Sequence, residues 1–152
     1  MISSTTIFFI LLTLLFSAFF SGMEIAFVTS NKLRLQMDMQ KENLTSSILS
    51  IFYAHPDRYI STILVGNNIA LVIYGMEMAA LLEPFLVELL PNAALVGVAQ
   101  TFVSTVVILI TGEFLPKMIF RINSNGWIRI FAVPMLLFYV LLYPISLFMS
   151  WL

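Results

Sequence analysis

The sequence predicts an all-α membrane protein: three transmembrane helices, with further helices at the cytoplasmic membrane interface. Three observations lead there: an apolar composition, three stretches long enough to cross a bilayer, and a one-sided distribution of basic residues. Of 152 residues, 61% are hydrophobic and only 10% charged, and the mean hydropathy is +1.02. A soluble domain carries about 25% charged residues, so this chain has too little polar surface to face water. The formal net charge of -1 offers no basic surface for nucleic acid. With no cysteine there are no disulfides and no thiolate metal sites. A single histidine, His55, leaves no histidine cluster for a metal and no pair for catalysis.

A spanning helix needs about 20 mostly apolar residues. The first covers about 6–28. No basic residue precedes Lys32, and the run exceeds the ~7–15 apolar residues of a signal-peptide core, so it reads as a retained span. The second covers about 60–82 and contains Gly66, Asn67, Asn68, Gly75 and Glu77. The third covers about 94–115 and ends in TGEFLPK, residues 111–117. Between the first two, a juxtamembrane segment over about 31–56 places Leu33, Met37, Ile48 and Ile51 on one apolar helical face. AHPDRY, residues 54–59, reads as the turn into the second span. The last stretch, 127–152, is apolar but divided by Pro134 and Pro144. Proline removes a backbone donor and kinks or breaks a helix, which favours a helix–turn–helix against the bundle over a fourth straight span.

Lys32, Arg34, Lys41 and Arg58 lie between spans one and two, and Lys117, Arg121 and Arg129 follow span three. The connection EPFLVELLPNA, residues 83–93, has two glutamates and no Lys or Arg. The positive-inside rule then puts the N-terminus outside and residues 30–58 and 117 onward in the cytoplasm of an inner or plasma membrane. Asn43, Leu44 and Thr45 match a glycosylation sequon, but this topology puts them inside.

Glu24, Glu77 and Glu113 lie within the spans, where an acid costs about 2.5 kcal/mol or more near the bilayer centre. At a rise of about 1.5 Å per residue, Ser21 lies roughly 12 Å from the inner end of span one, and Asn67 and Asn68 about 10–12 Å into span two. Gly112 and Glu113 sit just before Pro116 and Lys117 at the inner end of span three. Three helices thus contribute polar groups to one inner layer, whereas Glu77 lies in the outer part of span two. Ser17, Ser21 and Glu24, spaced by four and three, share a helical face. Gly22, Gly66 and Gly112 allow close approach or unwinding, and Pro116 frees the carbonyl of Gly112 by removing the bond to it. Hydroxyl, amide, carboxylate and carbonyl oxygens are the ligands of a hard cation: magnesium, calcium or sodium, not zinc or copper. The alternatives are structural. Serine and asparagine serve as packing glue between spans, Glu113 pairs with Lys117, and Glu24 snorkels or pairs with Arg34.

FFSGMEIAFVTSNKLRL, RYISTILVGNNIAL and ILITGEFLPKMIF resemble, in order and spacing, the three signature segments of the transmembrane domain of the CorC/CNNM family. The resemblance covers essentially the whole chain. It implies a homodimeric magnesium efflux protein, exporting cobalt in some members, driven by sodium entry. It also implies a belt of juxtamembrane helices and a cytosolic CBS-pair domain that binds ATP. That domain is expected to be absent from these 152 residues. By position, the resemblance assigns the cation ligands to the Ser17 and Ser21 hydroxyls, the Asn67 amide, the Gly112 carbonyl and the Glu113 carboxylate. Glu24 and Asn68 are implied as supporting or coupling residues. Met23 stands where the family commonly has serine and Leu71 where it commonly has asparagine; both changes remove oxygens. The expected function is export of a hard divalent cation, with alternating access around these residues. The competing expectation is a membrane anchor or magnesium sensor that carries no flux. An intramembrane enzyme is not expected, because Ser21 and Glu24 lack an oriented imidazole.

Overall fold

Hydrophobic length decides the architecture. In a computed structural model, which describes residues 4–29 and 44–151, three helical stretches are long and apolar enough to cross a membrane: Ser4–Thr29, Pro56–Leu89 and Ala93–Ile122. Expectations for Leu33, Arg34, Met37 and Asn43 lie outside the described residues. The helices are α1 (Ser4–Thr29), α2 (Leu44–Ala54), α3 (Pro56–Leu89) and α4 (Ala93–Ile108), followed by a π-helical segment, Leu109–Phe114. Then come α5 (Leu115–Ile122), α6 (Ser124–Ile130), α7 (Ala132–Leu141) and α8 (Tyr143–Trp151). Among the described residues there is no strand.

Span one is the central element, with α3, the π segment, α5 and α6 all packing on it. His55 is the single residue between α2 and α3, and Pro56 occupies the first turn of α3, where its missing N–H costs nothing. Span two is longer than its apolar run. The helix continues through Pro84 to Leu89, where the sequence suggests a loop. In hydrocarbon an unbroken helix keeps its backbone groups paired, and one lost bond at a proline is tolerated. Asn92 starts α4, its side-chain oxygen accepting the Ala94 N–H at 2.9 Å.

The C-terminal stretch is broken, as its prolines suggest, but not at them. The chain leaves helical geometry at Phe131 and Leu142, and α6 and α7 meet at a bend of 62°. Pro134 and Pro144 instead fall in the first turns of α7 and α8. A first-turn proline sacrifices no helical bond and disfavours helix in the residue before it.

The principal apolar core is aromatic and joins α1, α2, α3, α5, α6 and α7. Phe27 stacks on Tyr53 at 4.6 Å and on Tyr59 at 4.3 Å between centroids. Phe120, Trp127 and Phe131 stack beside them. In α2 the buried face is Ile48, Leu49 and Phe52, and Ile51 is exposed. The expected pairing of Ile48 with Ile51 is therefore shifted by one residue. Phe52 sets the rotation, because its ring sits against Tyr59 and Tyr139.

A candidate cation site between the three spans

The polar layer is built where the helices come closest. Gly66 of α3 lies against the Phe20 ring, such that a Cβ there would stand 2.5 Å from it; Gly22 of α1 lies equally tightly against Phe120. These contacts bring α1 to within hydrogen-bond reach of α3 and span three. Ser17, fully buried on α1, donates from Oγ to Oδ1 of Asn67 at 2.8 Å. The same hydroxyl lies 3.5 Å from the carbonyl oxygen of Gly112, a long contact that marks convergence more than strength.

Gly112 reaches this position through the π segment. The N–H of Leu115 donates to Ile110, five residues back instead of four. One residue is thereby accommodated in a widened turn, a device that frequently accompanies functional sites. Pro116 follows and supplies no N–H, so the carbonyls of this turn have fewer helical donors. A Cβ at Gly112 would meet Ile108 at 2.7 Å and the Ser17 hydroxyl at 3.1 Å. Glycine is what the approach requires.

The sequence-derived candidates separate into two groups. Ser17, Asn67 and Gly112 meet directly. Ser21 is buried one turn along α1 from Ser17, and Glu113 is half-buried beside Gly112 in the π turn. Glu24 is half-buried one turn beyond Ser21. Asn68, by contrast, is exposed; adjacent residues of a helix point about 100° apart, so the two amides cannot serve the same cluster. Among the described residues no three acidic, histidine or cysteine side chains gather as a metal cluster. A cation in this layer would therefore meet mainly neutral oxygens.

Met23 belongs elsewhere. It is fully buried in the aromatic core, on a different face of α1 from Ser17 and Ser21. Its backbone carbonyl accepts a hydrogen bond from the Tyr59 hydroxyl at 3.2 Å. Sequence reasoning missed this Tyr59 anchor, and likewise the contact between the Thr29 and Ser124 hydroxyls that ties the end of α1 to α6. Neither pairing has a local signal, since the partners are 36 and 95 residues apart.

The family model for the cyclin M transmembrane N-terminal domain matches residues 7–152. The chain belongs to the CorC/CNNM family. It is similar to the UPF0053 protein MG146 of Mycoplasma genitalium, with 28% identity across 95% of this chain and 35% of that protein. It is also similar to the UPF0053 inner membrane protein YfjD of Escherichia coli, with 35% identity across 68% of this chain and 23% of that protein. The chain thus spans about a third or less of the length of these relatives. Within this CorC/CNNM domain, Ser17, two residues before the first motif segment, meets Asn67 of the second and Gly112 of the third, and Ser21 and Glu113 are their chain neighbours in the first and third.

Proposed function

We propose that this domain moves a hard divalent cation, magnesium or cobalt, from the cytoplasm outward, with sodium entry as the driving force. The observation that carries the reading is the meeting of Ser17, Asn67 and the Gly112 carbonyl inside the bilayer-spanning bundle, at a π turn that also carries Glu113. Oxygen donors of three chemical kinds at one depth suit a magnesium ion that retains part of its water. Buried polar groups within spans are otherwise a cost.

The working unit in this reading is a homodimer in lipid, with the N-terminus outside and residues 30–58 and 117 onward cytoplasmic. ATP would act only through a CBS-pair domain outside these residues, and the domain performs no enzymatic chemistry. Ser17, Ser21, Asn67, Gly112 and Glu113 hold the ion, with Glu24 below them on the cytoplasmic side. Asn68, on the exposed face, is available to the partner subunit or to lipid.

The test is magnesium flux into liposomes carrying the purified protein, with and without a sodium gradient. Wild type is expected to transport, and Asn67→Ala and Glu113→Ala each to lose at least tenfold. Absence of wild-type flux, or wild-type flux in both variants, sinks the reading. A second reading, a magnesium sensor or anchor, draws on the same Ser17–Asn67 bond, which also serves as inter-helix glue. Magnesium binding without flux would favour it.

A further inference from the structure

The layer just described has a counterpart toward the other membrane face. Between α3 and α4 lies a pocket of about 280 Å³, open along one side, lined by Tyr74, Gln100, Ser104 and the exposed Thr101 and Thr105 among smaller and apolar residues. At ~30 Å³ per water molecule it has room for several, and it offers the polar partners water needs. Part of its polarity is already engaged. The Tyr74 hydroxyl donates to the Ser104 carbonyl at 2.8 Å, the Gln100 amide donates to Ala79 at 3.0 Å, and the Thr101 hydroxyl donates to Gly97 at 2.9 Å. The Gln100 carbonyl oxygen and the Ser104 and Thr105 hydroxyls add acceptors to the lining.

Two apolar side chains separate this cavity from the candidate cation site. Leu71 is one helical turn from Asn67, Ile108 is one turn from Gly112, and both line the cavity's end. The tip of Ile108 lies directly over Gly112, 2.7 Å from where a Cβ would stand. Ile108 is buried with Ile10, Tyr74 and Met78, and Leu71 packs against that cluster.

We propose that the cavity between α3 and α4 is the outward half of the ion path, closed from the Ser17–Asn67–Gly112 layer by Leu71 and Ile108. The proposal rests on the transport reading above. A short apolar constriction between two polar compartments blocks a hydrated ion without any covalent gate. Small side-chain displacements then suffice to open it.

The absence of cysteine from the sequence makes the test direct. Ser104→Cys, with Thr105→Cys as a second probe, is exposed in oriented vesicles to a membrane-impermeant cationic methanethiosulfonate. Val106→Cys, on the opposite, exposed face of α4, is the control. Modification of S104C or T105C from the face opposite Lys117, at least tenfold faster than V106C, is expected. Ile108→Ala should raise magnesium flux in the absence of sodium at least threefold. If wild type transports but neither probe outpaces V106C, the path is overturned and the transport reading stands. If the probes react but wild type carries no flux, the transport reading falls and takes the path with it. Unchanged flux in I108A, with reactive probes, removes the constriction.

Discussion

The two ends of the bundle treat glycine in opposite ways. Around the polar layer, Gly22, Gly66 and Gly112 are each pressed against another side chain, at 2.6, 2.5 and 2.7 Å from where a Cβ would stand. Toward the other face, Gly75 and Gly97 have nothing within 4 Å. The tightly packed end is the one that holds the buried Ser17 and Ser21, the half-buried Asn67 and the Gly112 carbonyl. Polar groups in hydrocarbon need partners, and only near-contact of the helix backbones brings short side chains into reach. The open end joins α3 to α4 around a cavity and leaves one side of α4 exposed, Val98 and Phe102 included.

The largest test of this contrast is a pair of truncations. Phe20→Ala removes a ring that is 2% exposed and fills the space over Gly66, and should cost about 3–5 kcal/mol. Phe102→Ala removes one that is 69% exposed and should cost a small fraction of that. Unfolding in detergent–denaturant mixtures measures both, and equal losses would break the comparison.

Next come the glycines themselves. Gly66→Ala and Gly22→Ala overpack aromatic rings that have little room to withdraw, at about 1–3 kcal/mol each. Combining Gly66→Ala with Phe20→Leu should recover part of the loss, which a purely conformational effect of glycine would not allow.

Tyr59→Phe should cost about 1 kcal/mol by deleting its bond to the Met23 carbonyl while keeping the stack on Phe27. Thermal unfolding should separate it from Tyr59→Ala, which loses the ring as well. The smallest effect is expected at the open end. Gly75→Ala and Gly97→Ala should be neutral or stabilising by up to about 1 kcal/mol, since alanine is the better helix former and space is available. A loss of stability at either would mean that this face is covered in the assembled protein.

Much of the site was legible from residue type and depth. Ser17, Asn67 and Gly112 are polar or small residues that three apolar runs place at one level, and their meeting needs only side-by-side packing of those runs, the second antiparallel to the other two. The π turn was half legible. Pro116 announces that the Gly112 carbonyl loses its donor, but a bond from Leu115 to Ile110 has no compositional mark. The rotation of α2 is not legible in the sequence because Ile48, Ile51 and Phe52 are all apolar, and the choice between faces is made by Phe52 meeting Tyr59 and Tyr139. Pro84 and two glutamates read as a loop in the sequence, but the helix of span two runs through them to Leu89.

By itself the sequence determined the membrane class, three helices long enough to span, and the depth at which Ser17, Asn67 and Gly112 meet. Hydrophobic length and the cost of buried polarity act locally along the chain, so they can be read from it. Tertiary structure alone decided that Met23 belongs to the aromatic core, that Asn68 is on the exposed face, and that Ile108 lies over Gly112. Those outcomes depend on the rotation of each helix about its axis. Rotation is set by which side chains interlock across helices, and no single helix carries that information.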